Sequence, residues 1–298
     1  MAFHPNMRSM TEGLTVIGDM QPSYFNAAIA DIWHVRCRPA ARGEYVSHAP
    51  RLFVVLEQDG DKGITISGSH SGASPGQSVP NPLCFVPAGF RVWSYIENPG
   101  SLRHLDIHLD VDRFPERLSE DVPAGSLDEP KLMFFDERVF GIARLIAAEC
   151  EKHGVRKDLY GDSLICALIC VLARVKSGFS RPAGQLAPDK LRKSIEFIED
   201  NCARSVRLEE ISDLVDLSPA YFCNAFKLTT GMPPHQWQMR ARVNRAKQIL
   251  EVTDLPLSVA AVDAGFSDQA HLTRVFRRIV GTTPHNWRTR DQDPSHRA

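Results

Sequence analysis

The 298-residue sequence predicts a two-domain α+β protein, an antiparallel β-barrel with following helices and then an all-α domain. Three observations lead there. Near residue 115 the apolar pattern changes from short runs of strand character to the 3.6-residue recurrence of helices. A stretch rich in glycine, proline and serine at 177–188 reads as a linker. Beyond it the chain repeats itself. The expected organisation is a barrel at 1–115, a helical dimerisation segment at 116–177, a linker at 178–188 and a duplicated helical domain at 189–290.

In the first segment, apolar or alternating runs at 29–35, 52–56, 64–66, 83–86, 92–96 and 102–109 are expected as strands. Gly60, Gly63, Gly68, Gly72-Ala-Ser-Pro-Gly76, Pro87-Ala-Gly89 and Asn98-Pro-Gly100 punctuate them as turns, the rhythm of an antiparallel barrel or sandwich. In 102–109 the polar residues do not alternate strictly, so the pattern does not say which face is buried. Val139, Ala143, Ile146 and Cys150 then fall at i, i+4, i+7 and i+11, as do Leu164, Leu168, Val171 and Val175. The second of these helices is apolar nearly all round, with Ile165, Cys166, Ala167, Ile169 and Cys170 on its other faces. Such a helix is covered on more than one side, by the barrel and a second subunit or wholly within one chain; the former makes it the candidate element of a homodimer. After the linker, Leu191, Ile195, Ile198 and Cys202 share one helical face, and Met239, Val243, Ala246 and Leu250 another.

Composition narrows the function classes. Hydrophobic residues make up 43% and charged residues 24%, which excludes a disordered or collagen-like chain. The longest apolar run, 164–173, is half of what a membrane-spanning helix needs, so no membrane role is expected. No basic-then-apolar leader opens the sequence, and the seven cysteines include no Cys-x-x-Cys pair; reduced thiols and a cytoplasmic location are expected. The net charge of −1 conceals a division: residues 217–290 carry ten Lys or Arg against four acids, a net +6, leaving −7 elsewhere. A basic segment on an acidic body points to a polyanionic partner.

The repeat sharpens that expectation. Phe226, Gly231, Pro234, His235 and Trp237 recur as Phe276, Gly281, Pro284, His285 and Trp287, all offset by 50. Each copy has the grammar of a helix-turn-helix. In the first, 208–215 is a short amphipathic helix, Asp216 a turn, Ser218 an N-cap and Pro219 the first helical residue. In the second, 257–264 is the first helix, Gly265 the turn, and Ser267 or Asp268 the cap. Phe222, Phe226, Leu272 and Phe276 would hold each second helix to its domain. The opposite faces present Tyr221, Asn224 and Lys227, or Gln269, His271, Thr273, Arg274 and Arg277, donors suited to base edges and phosphates. The helix expected between the copies, 234–252, would be about 27 Å long. It would hold two recognition helices about one DNA turn apart, with Arg240, Arg242, Arg245 and Lys247 beside the intervening phosphates.

The run Arg245-Ala-Lys-Gln-Ile-Leu250, Asp254-Leu-Pro-Leu-Ser-Val-Ala260 and Ala264-Gly-Phe-Ser-Asp-Gln-Ala-His-Leu-Thr-Arg-Val-Phe-Arg-Arg278 resembles the DNA-binding domain of the AraC/XylS family of bacterial transcription regulators. The resemblance covers about a third of the chain. It implies a seven-helix domain that binds promoter double-stranded DNA and recruits RNA polymerase, with Ala220, Cys223 and Asn224 facing bases in the first unit and Gln269, Ala270, His271 and Arg274 in the second. Asp216 departs from the glycine common at that turn, and the small Ala220 and Cys223 imply that the first unit reads fewer bases. The resemblance also implies a cupin-like sensory barrel coupled to dimer-forming helices, hence an activator responding to a small-molecule effector.

A cupin-like barrel raises the question of an enzyme. His104 and His108 share a strand face but lie about 13 Å apart, too far to share an ion. Pro87-Ala-Gly89 is followed by Phe90, Arg91 and Val92 where a metal cupin would carry histidine, and His34, His48 and His70 stand alone. No metal, cofactor or catalytic activity is expected; a barrel enzyme with auxiliary DNA binding, or a regulator without an effector, are the alternatives. Cys166 and Cys170 are expected as structural thiols. Among Trp33, Tyr45, Phe85, Trp93 and Tyr95, the candidate effector contacts are Trp33 and Trp93, with Arg91 placed to hold a carboxylate.

Overall fold

Strand-forming residues dominate up to residue 109, and there the chain runs back and forth in one sheet. The structure is a computed structural model that describes residues 7–18, 22–59, 63–69, 79–123, 125–152, 159–176, 178 and 183–292. Its strands are β1 (Met7–Val16), β2 (Ser23–Tyr24), β3 (Ala28–Ser47), β4 (Arg51–Gln58), β5 (Thr65–Ser67), β6 (Leu83–Val86), β7 (Val92–Ile96), β8 (Gly100–Leu109) and β9 (Lys131–Phe134). All pair antiparallel in the order β5-β7-β3-β8-β4-β6-β9, with β1 and β2 also on β3. The path curls until its two ends approach, where the Ile66 N–H donates to Met133 Sδ at 3.3 Å. The result is a nearly closed barrel, as the sequence predicts.

Two strands differ from expectation. β3 extends over twenty residues, well beyond 29–35. It changes neighbours on the way: 28–37 pair with β8 and 41–45 with β7. Residues 38–40 pair with neither, which is where Pro39, lacking an N–H, is tolerated and where Ala40 takes φ 56°. β1 lacks a signal because it is an edge strand with little burial and so carries no apolar stripe.

β8 explains its own irregular pattern, being buried on both faces. Leu105, Ile107 and Leu109 pack outward with Ala28, Ala30, Leu52, Val54 and Phe85 against two helices, α2 (Glu137–Cys150) and α3 (Leu159–Ala173); a short α1 (Glu116–Asp121) precedes them. The alternate residues His104, Asp106 and His108 face inward, toward a core of Val35, Phe53, Val55, Val86, Val92 and Ile96. On α2 the buried face is Val139, Ala143 and Ile146, and Asp136 caps its first turn by accepting from the Arg138 and Val139 N–H groups. α3 buries Leu164, Ile165, Leu168, Ile169 and Leu172 and leaves Ser163 and Ala167 exposed.

The remaining elements are all helices: α4 (Pro188–Asp200), α5 (Leu208–Leu214), α6 (Pro219–Thr230), α7 (Pro234–Val252), α8 (Leu257–Asp263), α9 (Gln269–Val280) and α10 (Pro284–Gln292). The chain divides into two compact units between residues 189 and 190. No helix among the described residues is long and apolar enough to cross a membrane.

Candidate nucleic-acid interface

The duplicated sequence folds as duplicated geometry. Leu217 N–H closes the α5–α6 turn on Ser212 O at 3.0 Å, and Phe266 N–H closes the α8–α9 turn on Ala261 O at 2.9 Å. The turn residues Asp216 and Gly265 both have positive φ, 50° and 89°. Only the second is forced to be glycine by its surroundings: a Cβ on Gly265 would sit 2.6 Å from the Ala203 backbone. Ser218 Oγ accepts from the Tyr221 N–H at 3.4 Å, while Asp268 Oδ1 accepts from the His271 N–H at 2.7 Å, which lowers the Asp268 carboxyl below its usual range. Gly231 and Gly281 end α6 and α9 in the left-handed conformation.

Each second helix is anchored by the same aromatic pair. Phe226 meets Trp237 edge-on at 5.9 Å, and Phe276 meets Trp287 at 6.1 Å; both phenylalanines are fully buried, as are Phe222 and Leu272. The anchors then diverge. Trp237 Nε1 donates to Glu199 Oε1 at 3.2 Å, whereas the Trp287 ring is covered by Lys247, whose Nζ lies 4.5 Å from its centroid.

With one face fixed, the other is set. On α6, Ala220, Tyr221, Asn224 and Lys227 are exposed and Cys223 is half-buried. On α9, Gln269, Ala270, Arg274 and Arg277 are exposed, and His271 and Thr273 half-buried. Gln269, Ala270, Thr273, Arg274, Arg277 and Arg278 line one open concavity of about 810 Å³. Arg278 is the member the sequence reading omits; its spacing from Arg274, i+4, is the signal that places it beside the others. Thr273 Oγ1 donates back to Gln269 O at 2.8 Å, and His271 Nδ1 lies 3.1 Å from Ser267 Oγ, so both side chains are oriented by their own helix. α9 therefore shows three guanidinium groups where α6 shows one ammonium.

Three of the four α7 cations expected beside phosphates, Arg242, Arg245 and Lys247, are turned to partners within the fold. Arg242 donates through Nε to Cys202 O at 2.7 Å and through Nη2 to Arg204 O at 2.9 Å. Arg245 Nε donates to Asp263 O at 2.8 Å, and Arg288 Nη2 to Leu255 O at 2.7 Å. With Lys247 on Trp287, these cations satisfy carbonyls at helix ends and cover an indole, so their charge holds helices together. Arg240, also on α7, is half-buried.

The candidate effector residues are not brought together. Trp33 packs against the interior core and stacks on His104, centroids 6.4 Å apart. Arg91 and Trp93 alternate with the inward Val92 and Ser94; Arg91 stacks over Trp93 at 4.5 Å and lies 3.6 Å from Glu44. Cys166 and Cys170 are both half-buried against the helix–barrel core, and burial raises the Cys166 thiol. Among the described residues no group of three or more His, Cys, Asp or Glu is placed to hold a metal ion; His70 lies outside the described residues.

A family model for a helix-turn-helix domain matches residues 211–290, which contain both turns. The probable transcriptional regulator LumQ of Photobacterium leiognathi is 28% identical over 151 residues, 50% of this chain and 59% of that protein. The arabinose operon regulatory protein of Escherichia coli K12 is 28% identical over 101 residues, 34% of this chain and 35% of that protein. A solved transcriptional regulator from Chromobacterium violaceum, with an AraC-type DNA-binding domain, aligns at 25% identity over 36% of this chain and 95% of its own, with a TM-score of 0.34. The chain thus spans from about a third to three-fifths of the length of these two curated relatives. Through the helix-turn-helix domain at residues 211–290, the chain is thus similar to transcription regulators of the AraC type.

Proposed function

We propose that the protein is a sequence-specific, promoter-binding transcription regulator of the cytoplasm, with no catalytic role. The observation that carries this reading is the pair of equivalent, capped second helices, one of which turns three guanidinium groups into a single open concavity. In the reading, α9 enters a major groove with Gln269, Ala270, His271 and Arg274 toward base edges and Thr273, Arg277 and Arg278 toward phosphates. α6 enters the next groove through Ala220, Tyr221, Cys223, Asn224 and Lys227, and makes fewer base contacts. α7, 19 residues long, sets their spacing, and Arg240 is its contact to the phosphates between. The regulator is an activator that recruits RNA polymerase, works as a homodimer through the helices of 116–177, and responds to a small molecule held by the barrel of 1–115, with 178–188 as the link to the DNA-binding domain at 189–290.

The test is selection of genomic DNA fragments by the purified full chain at fixed, near-physiological salt. A sharp motif bound about 10³-fold or more above random fragments supports the reading; binding that is salt-sensitive but indifferent to sequence overturns it.

A further inference from the structure

The inward face of β3, β8 and β4 holds a polar cluster that the folding of the barrel does not by itself account for. Opposite residues across the sheet form three adjacent rungs: Ile29–His108–Arg51, Asp31–Asp106–Phe53 and Trp33–His104–Val55. Arg51, Asp106, His108 and Asp31 are all at least nine-tenths buried. Arg51, Asp106 and the neighbouring His104 are matched to one another. Arg51 Nη1 lies 3.6 Å and His104 Nε2 3.7 Å from Asp106 Oδ2, and the guanidinium together with the imidazole hydrogen bond holds that carboxyl well below the usual range. Burial lowers His108 to about 4, so it is neutral at pH 7.

Asp31 is the carboxyl of the cluster left without a cation. Arg51 and the histidines act on Asp106, whereas Asp31 is raised to about 7 by burial and by Asp106 opposite it. Its Oδ1 has no hydrogen-bond partner among the described residues. The other groups around it are Tyr24 of β2 and Cys150 of α2, whose hydroxyl and thiol are both raised and neutral at pH 7. Tyr24, opposite Ile29, is 38% exposed and lies on Asp31's own face at the barrel rim. Trp33 stands two residues along that face, with its Nε1 also without a partner. A buried carboxylate without a cation, flanked by a phenol and an indole, is the chemistry that receives an ammonium group, through an ion pair and the negative faces of the rings.

Deepening the effector part of the proposed function, on which this rests, we propose that the barrel interior binds a small organic amine in its protonated form, with Asp31 as the counter-ion and Trp33 and Tyr24 as its aromatic walls. A neutral polyol would leave Asp31 without a counter-charge, and a carboxylate would face two carboxylates across the sheet.

Matched probes test this on the full chain by thermal denaturation at pH 8: ethylamine and phenethylamine, their alcohols, and acetate and phenylacetate. An amine should raise the melting temperature by about 3–6 °C at ten times its Kd, with no comparable shift from the alcohol or the carboxylate. Asp31→Asn should abolish the shift. In the wild-type chain, lowering the pH to 5.5 protonates Asp31 while the amine, already an ammonium ion at pH 8, is unchanged, and should weaken binding about 30-fold. That pH comparison stands even if the variant fails to fold. The assignment falls if no amine stabilises the chain, if an alcohol or carboxylate does so as strongly, or if Asp31→Asn keeps the effect. DNA-fragment selection on the same preparation reports separately on the regulator reading: a sharp motif without an amine response sinks only the ligand.

Discussion

At the residue scale, the two charged positions with most at stake lie in different units. Asp31 is protonated far more readily in the folded chain than in the unfolded one, its carboxyl raised from 3.8 to about 7. Well below pH 4 it is neutral in both states and costs nothing. As the pH rises from there through 7, the unfolded chain ionises it freely while the fold resists, and the penalty grows to about 4 kcal/mol. Asp31→Asn should therefore change stability little near pH 4 and raise it by about 2–4 kcal/mol at pH 8, read from denaturant unfolding at the two pH values. Wild-type stability alone is a poorer readout, because His108, lowered to about 4, has the opposite slope between pH 6.5 and 4. In the helical unit, Arg274→Ala should cost about 1–3 kcal/mol on the selected site and relax the preference at one base pair. Equal weakening on every sequence would make Arg274 a phosphate contact.

At the scale of elements, the two turns of the repeat make opposite demands on glycine. Gly265→Ala adds a Cβ 2.6 Å from the Ala203 backbone at φ +89° and should destabilise the helical unit by about 2–4 kcal/mol. Gly281→Ala has the same hand of backbone, φ +84°, but meets nothing within 4 Å and should cost about 1 kcal/mol. Denaturant melts of both variants check the pair. These turns were readable from sequence because their chemistry is local: Asp216, Ser218, Gly265 and Asp268 act within four residues of themselves. The strands show where locality ends. β1 carries no apolar stripe, and the length of β3 depends on exchanging β8 for β7 as its neighbour, which no window of its own residues records. The same holds for Arg242 and Arg245, whose carbonyl partners lie 38, 40 and 18 residues away, and for Arg91 and Trp93, whose side of the barrel follows from strand register.

At the scale of the whole molecule, the chain is two compact units that meet at a single point in sequence. Each has its own core and its own buried aromatic or polar centre. Residues 2–189 and 190–292 expressed separately should each unfold cooperatively, and only the first should respond to pH through Asp31; circular dichroism melts at pH 5 and pH 8 check both statements. The uneven display of charge on α6 and α9 bears on how the molecule arrives at DNA. With Arg242, Arg245 and Lys247 of α7 turned to internal carbonyls and an indole, much of the outward positive charge of the helical unit is that of Arg274, Arg277 and Arg278 on α9. If the protein binds DNA as proposed, encounter would be steered, α9 touching the duplex first and α6 settling afterwards into the adjacent groove. Rising salt would slow association steeply, while the lifetime of the settled complex would depend on the Tyr221 and Asn224 face of α6.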